Sequence, residues 1–319
     1  MAVGNIEISA KGQWVRVPGF DLNGRTIVVR GKGLKKAVIH DEEWLETEID
    51  DPEAYVRELL NKRTRELRAD FFTFAQKPPA TAPQYKYFHE WDSIAAVRTT
   101  NYQEWWESLP QETRKNVRRS QKRGVQIRAV NFDDDLIRGI VEINNESPLR
   151  QGSRSRDYGK SFDEVKRDHS SFLDRSDLFG AYFGDELIGF LKIVHRGNIV
   201  SLLQLLVKAR HSDKRPSNAL MAKAVEVCHA KGIQYLTYGL YNYGNKGDSP
   251  IRQFKIRNGF EEILVPRYYV PLTAWGTLCL KLKIHRGLLG ILPHAVISMG
   301  INARVKWYDF RSRLAGVAQ

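Results

Sequence analysis

The chain has 319 residues, 50 Lys and Arg against 37 Asp and Glu, a net charge of +13 and 42% hydrophobic residues. This suits one large domain or two of ordinary size and excludes global disorder or low complexity. The charge favours anionic partners (coenzyme phosphates, nucleic acid or an anionic membrane face), and two distant cysteines, Cys228 and Cys279, exclude a disulfide scaffold and fit a reducing compartment.

The opening stretch MAVGNIEISAKGQW carries no apolar run of signal-peptide type, so a cytoplasmic location is expected. Trp14 to Phe20 and Thr26 to Arg30 read as strands about the turn residues Asp21-Leu22-Asn23-Gly24. Pro52 to Arg68 reads as a helix, with Asp51 as its cap and Pro52 in its first turn. Ala69 to Ala75 reads as a buried strand. The run Lys77-Pro78-Pro79-Ala80-Thr81-Ala82-Pro83, with three prolines in seven residues, reads as a loop.

Tyr102 to Arg123 has helical character, broken where Pro110 starts a second helix. That second helix carries Arg114, Lys115, Arg118, Arg119, Lys122 and Arg123, six bases in ten residues, whose self-repulsion calls for a counter-anion. Val125 to Val130 reads as a strand. Asp133 to Asn145 reads as a helix, with Leu136, Ile137, Ile140, Val141 and Ile143 near helical spacing.

A strand meander follows: Leu178 to Phe183, a Gly184-Asp185 turn, Leu187 to Val194, a Gly197-Asn198 turn, and Ile199 to Val207. The basic, turn-rich segment Arg210-His211-Ser212-Asp213-Lys214-Arg215-Pro216-Ser217-Asn218 then feeds a helix running to Gly232, and such a helix N-terminus is suited to phosphate. Leu220, Met221, Ala224, Val225 and Cys228 are its expected core face. Ile233 to Leu240 reads as a strand leading into Gly239-Leu240-Tyr241-Asn242-Tyr243-Gly244-Asn245-Lys246-Gly247, a glycine- and tyrosine-rich binding loop. A short helix about Phe254 and a final hairpin ending near Thr273 complete this part. The tail from Trp275 to Gln319 mixes aliphatics with bases. Its run Leu278 to Leu292 is too short and too charged to span a bilayer but suits peripheral contact with an anionic leaflet.

Some motifs are missing. Arg30-Gly31-Lys32-Gly33-Leu34-Lys35-Lys36 lacks phosphate-loop spacing, no histidine pair has zinc spacing, and there is no G-x-S-x-G elbow. No metal is expected.

The order of these elements resembles the acyl-CoA half of the GNAT acyltransferase superfamily. Phe254-Lys255-Ile256-Arg257-Asn258-Gly259-Phe260 is similar to the "FK…GF" segment of Fem-type peptidoglycan bridge transferases. Trp106 with Leu109, Arg114, Asn116, Arg118 and Gly124 resembles the "W…L…R.N.R…G" segment opening the C-terminal half of those proteins. The resemblance covers roughly residues 100–273. It implies an α/β fold with a GNAT-like mixed sheet flanked by helices. Residues 1–98 would be a reduced N-terminal GNAT-like half, 99–273 the acyltransferase domain, and 274–319 a basic, helical, amphipathic C-terminal tail.

The implied activity is transfer of an acyl group from acyl-CoA, acetyl-CoA first, to an amine or hydroxyl by direct attack. The acceptor would be small or a cell-envelope glycan, anionic or lipid-linked, with residues 275–292 touching the inner membrane face. An aminoacyl-tRNA-dependent Fem-like transferase and a non-catalytic binding module are the alternatives. Family glycines that hold the coenzyme pyrophosphate are replaced here by Arg210, Lys214, Arg215, Ser217 and Asn218, which the resemblance makes the coenzyme-binding residues. Strand backbone at Leu205, Leu206 and Val207 would pair with the pantetheine arm. Glu146 is the expected base. Phe254 occupies the position of the family's usual tyrosine acid, so Tyr241 or Tyr243 would protonate the leaving thiolate. Arg150, Gln151, Arg154, Asn242 and Lys255 would bind the acceptor, with Asp157, Tyr158 and His169 as weaker candidates.

Overall fold

The computed structural model describes residues 4–10, 13–61, 64, 66–150, 153–242 and 249–287. Among these, the residues within 4–94 and 263–287 cluster as one compact unit and those within 95–262 as another.

In chain order the first unit opens with β1 (Gly4–Ala10), β2 (Gln13–Leu22), β3 (Arg25–Arg30) and β4 (Lys36–Ile39). Asn23 and Gly24 both have positive φ, so a two-residue turn joins β2 to β3 with Leu22 facing Arg25. Next come α1 (Pro52–Asn61), β5 (Phe71–Ala75) and β6 (Phe88–Arg98), whose last residues pass into the second unit. The expected helix is described to Asn61 and does not reach Leu67 or Arg68, and the strand expected from Ala69 begins at Phe71. The first unit's core is aromatic: Tyr55 and Leu59 of α1 pack with Phe20, Phe72, Phe74 and Tyr268.

The second unit continues with α2 (Tyr102–Ser108), α3 (Gln111–Lys122), β7 (Val125–Ala129) and α4 (Asp134–Asn145). The break at Pro110 follows the sequence expectation, while Asp133, read as the first helical residue, is instead the cap of α4 and accepts the Leu136 N–H at 2.9 Å. A small ribbon, β8 (Leu149–Arg150) with β9 (Ser153–Arg154), precedes α5 (Phe162–His169), which a Ser161/Glu164 capping box starts. The meander is β10 (Ser176–Phe183), β11 (Glu186–Arg196) and β12 (Ile199–Val207). Gly184 and Gly197 take positive φ at the first central position of its two turns. Then follow α6 (Pro216–Ala230), β13 (Tyr235–Leu240) and α7 (Pro250–Arg257).

The sheet of this unit runs β7-β10-β11-β12-β13, antiparallel except for the last pair. One face is covered by α6, whose Leu220, Met221, Ala224, Val225 and Cys228 are buried against Phe179, Leu191, Ile193 and Val200. The other is covered by α4, where Leu136, Ile137, Ile140 and Ile143 meet Leu187 and Phe190. Alternating strand side chains feed both faces, which is why nearly every residue of β11 is buried.

The chain ends its described course with β14 (Glu261–Pro271) and α8 (Ala274–Lys281). The expected final hairpin is instead this single strand of 11 residues. No Gly, Asn or Asp lies within it to reverse the chain, and its second half pairs antiparallel with β5, Arg267 to Ala75 through Pro271 to Phe71. β14 and α8 thus return to the first unit.

Candidate active site

The site is built around the separation of two parallel strands. Ile199, Val200 and Ser201 of β12 are in register with Tyr235, Leu236 and Thr237 of β13, and the ladder ends there. Two residues further on, β12 bulges: Lys192 of β11 faces Gln204 while Ile193 faces Leu202, leaving Leu203 as the extra residue. A bulge bends its strand and increases local twist. Beyond it, Leu205, Leu206 and Val207 keep their β11 partners but have no β13 partner. Their side chains are half-buried, and one edge of their backbone is left open to a ligand.

The expected coenzyme loop follows directly. A 3-10 turn spans Ala209–Lys214, and Arg215 then sits at φ 56°, ψ 41°, before Pro216 opens α6. A left-handed arginine costs of order 1 kcal/mol, in the kind of conformation glycine adopts freely. α6 begins with no side-chain cap, whereas Asn101, Asp133, Ser161, Ser249 and Thr273 cap α2, α4, α5, α7 and α8. Pro216 has no N–H and the Asn218 N–H donates to the Arg215 carbonyl at 3.1 Å, so among the described residues the Ser217 N–H is the first-turn donor left for an anion. Arg215 is exposed, and Ser217 and Asn218 are half-buried on the first turn of α6. Lys214 Nζ lies 4.7 Å over the Phe183 ring.

Two carboxylates brace this loop. Glu186, at the start of β11, accepts Lys208 Nζ at 2.8 Å, pairs with Arg210, and has His211 Nε2 at 3.0 Å. Burial pushes its carboxyl up, but the Lys208, Arg210 and His211 contacts outweigh that and hold it at about 2. Arg210 is thereby committed to Glu186. Glu146, just past α4, accepts the backbone N–H groups of Ala209 and, at 2.9 Å, Arg210. Both of its oxygens are engaged with the loop, and acting as a base would require giving up those bonds.

The basic helix α3 also reaches this end. Arg123 pairs with the Asp213 carbonyl and has its carboxylate at 3.4 Å. Arg118 lies 5.6 Å over the Trp106 ring. The sequence alone did not place Arg123 beside the loop.

At the end of β13, the half-buried Tyr241 has Arg252 at 5.3 Å over its ring, and among the described residues its hydroxyl has no hydrogen-bond partner. Asn242 is tied on both sides, accepting Arg252 Nε at 3.0 Å and donating to Glu262 at 2.9 Å. Lys255 is fully buried; its Nζ donates to the Leu240 carbonyl at 2.6 Å and lies 4.8 Å over Tyr238. Phe254 packs edge-on against Tyr238. Tyr243 and Gln151 lie outside the described residues, as do the side chains of Arg150 and Arg154. His169 is buried and held near 4, by burial first and then by the Lys192 charge.

The two patches that suggested the family meet in space. Trp105 Nε1 donates to the Asn258 carbonyl at 3.1 Å, and Thr113 Oγ1 to the Arg257 carbonyl at 2.9 Å. Trp105, rather than Trp106, is the tryptophan that the core buries.

Residues 111–250 match the family described as the acetyltransferase (GNAT) domain. This stretch is similar to a GNAT acetyltransferase domain. The surrounding fold is similar to three solved structures. One is FemX, at 11% identity and TM-score 0.53, covering 83% of this chain and 87% of that one. A second is the C-terminal domain of a putative lysylphosphatidylglycerol synthetase from Agrobacterium fabrum, at 15% identity and TM-score 0.52, covering 82% and 85%. The third is L-PGS from Bacillus licheniformis, at 12% identity and TM-score 0.50, covering 82% and 85%. No curated protein matches the sequence. The match to the acetyltransferase family supports a transferase of acyl groups.

Proposed function

We propose that the protein transfers an acyl group from acyl-CoA to an amine or hydroxyl by direct attack within a ternary complex. The observation that carries this reading is the open edge of β12 at Leu205–Val207, followed at once by the uncapped N-terminus of α6. A pantetheine amide chain can add to the strand edge, and the pyrophosphate can sit at the helix start. Lys214, Arg215, Ser217 and Asn218 line that start, while Glu146, Glu186 and Arg210 shape the loop.

The acceptor nucleophile attacks the thioester carbonyl, strand N–H groups polarise its oxygen, and the tetrahedral adduct expels the thiolate. Tyr241, or Tyr243 beyond it, protonates that thiolate and is reprotonated by the proton that the acceptor's amine or hydroxyl sheds. The buried ammonium of Lys255, fixed at the end of β13, adds positive charge near the reacting centre. Arg150, Gln151 and Arg154 belong to the segment that would receive an anionic or lipid-linked acceptor.

The test is a thermal-shift titration with acetyl-CoA beside Arg215→Glu. Binding to the folded state alone adds about 2.7 kcal/mol at a hundredfold excess over Kd. A saturable upward shift that the variant loses supports the reading. The absence of a shift at millimolar ligand removes it.

A second reading, aminoacyl transfer from charged tRNA, is favoured by α3. Its five bases, with Arg123 just past its end, add positive charge well beyond what a pyrophosphate needs. Steeply salt-dependent binding of charged tRNA, with no response to acetyl-CoA, selects it.

A further inference from the structure

The helix α8 is apolar on two adjoining faces, with Thr277 and Lys281 on the remaining side. Gly276, Cys279 and Leu280 are buried in the first unit, and Gly276 sits so close to the Asp70 carbonyl that a Cβ there would lie 1.9 Å from it. Trp275, Leu278 and Leu282, spaced three and four residues apart, form one outward stripe with exposures of 47%, 45% and 58%. A soluble helix ordinarily turns a polar face to water, so this stripe calls for an occupant.

The surroundings of the stripe indicate which. The Trp275 indole N–H donates to the Gly33 carbonyl at 3.1 Å, fixing the ring beside the Arg30–Lys36 loop. That loop matched no phosphate-binding motif. Its Arg30 and Lys32 are exposed, as are Lys281 and Lys283 at the far end of α8, and none of the four forms an ion pair among the described residues. Exposed Trp and Leu flanked by uncommitted cations match the chemistry of a leaflet boundary, where the rings and aliphatics enter the acyl region and the lysines meet lipid phosphates. No described helix is long and apolar enough to cross a membrane.

We propose that this face of the first unit docks on an anionic lipid leaflet, with Trp275, Leu278 and Leu282 inserted and Arg30, Lys32, Lys281 and Lys283 on the headgroups. The inference does not depend on the acyl donor.

Co-sedimentation of the full chain with phosphatidylcholine vesicles, with and without phosphatidylglycerol, tests it. Binding is expected only with the anionic lipid and should weaken with salt. Leu278→Asp with Leu282→Asp should lower binding at least about tenfold. Lys281→Glu with Lys283→Glu should lower it and flatten the salt dependence. Both variants should keep the wild-type melting temperature and light-scattering mass. Failure to bind anionic vesicles at low salt overturns the proposal, as does undiminished binding by the Leu variant. A lowered melting temperature in that variant would mean the chain's own residues 288–319 cover the stripe. A wild-type dimer that the variant converts to monomer would mean a second copy covers it. Either result also overturns the proposal.

Discussion

Glu186 and Lys208 tie the start of β11 to the end of β12, with Lys208 Nζ donating to Glu186 Oε1 at 2.8 Å and the lysine side chain only 3% exposed. Glu142 of α4 reaches the same ammonium at 2.8 Å. A buried cation is tolerable only with such partners, so the end of β12 is held in place by charge as well as by its ladder. The loop proposed to hold the coenzyme begins at the next residue.

Glu186→Gln should therefore weaken both stability and acetyl-CoA binding, by about 1–3 kcal/mol in stability. The folded carboxyl is held at about 2, below the ordinary glutamate value. Its contribution is then complete above the unfolded value near ~4.3 and fades as pH falls towards ~2. Urea midpoints of wild type and variant should converge across that window. A gap that stays constant down to the lowest pH would show that the charge is not what stabilises the loop.

Arg215→Gly should separate folding from binding. Glycine relieves the left-handed strain of φ 56° and is expected to raise stability by up to about 1 kcal/mol. The same change removes a cation from the α6 N-terminus and should loosen acetyl-CoA binding. A variant that is less stable, or binds as tightly as wild type, would contradict this assignment.

Tyr241→Phe should lower kcat by about a hundredfold if the phenol protonates the thiolate. Acetyl-CoA binding should be unchanged, since the ring and its stacking on Arg252 remain. Full activity in Tyr241→Phe together with its loss in Tyr243→Phe would move the role to the second tyrosine.

Gly259→Ala should destabilise the second unit by roughly 2 kcal/mol or more. Gly259 has φ 78°, and a Cβ there would lie 2.9 Å from Trp105 Nε1 and 3.2 Å from Leu109. Denaturant unfolding checks this, and a neutral outcome would mean that Trp105 is free to move.

Asp177 accepts His195 Nε2 at 2.8 Å and Lys231 Nζ at 2.6 Å, and the His195 hydrogen bond leads in holding its carboxyl at about 2. Asp177→Asn should cost stability above pH ~4 and progressively less as pH falls towards ~2, where the wild-type carboxyl protonates as well. An equal loss of stability at both ends of that range would indicate packing rather than charge.

Much of the second unit was legible in the sequence because its signals are local. Gly184-Asp185, Gly197-Asn198 and Pro110 act within a few residues, and the apolar spacing of α4 and α6 announces which face each helix buries. Strands β1, β4 and β6 were not foreseen. β4 is four residues long, and β6 mixes His, Glu and Asp into its run, so their pairing depends on partners distant in sequence. β14 was misread as a hairpin for a related reason, since only β5 shows how its second half is used.

The sequence by itself determined the order of the elements, the family resemblance and the surplus of positive charge. Only the tertiary structure decided which charges are committed. Arg210 and Lys208 neutralise Glu186, Glu146 caps the loop, Asn242 bridges Arg252 and Glu262, and Lys255 is sealed beneath Tyr238. A charged side chain's role depends on which opposite charge or carbonyl lies within about 3 Å, and that distance is set by chain segments dozens of residues apart.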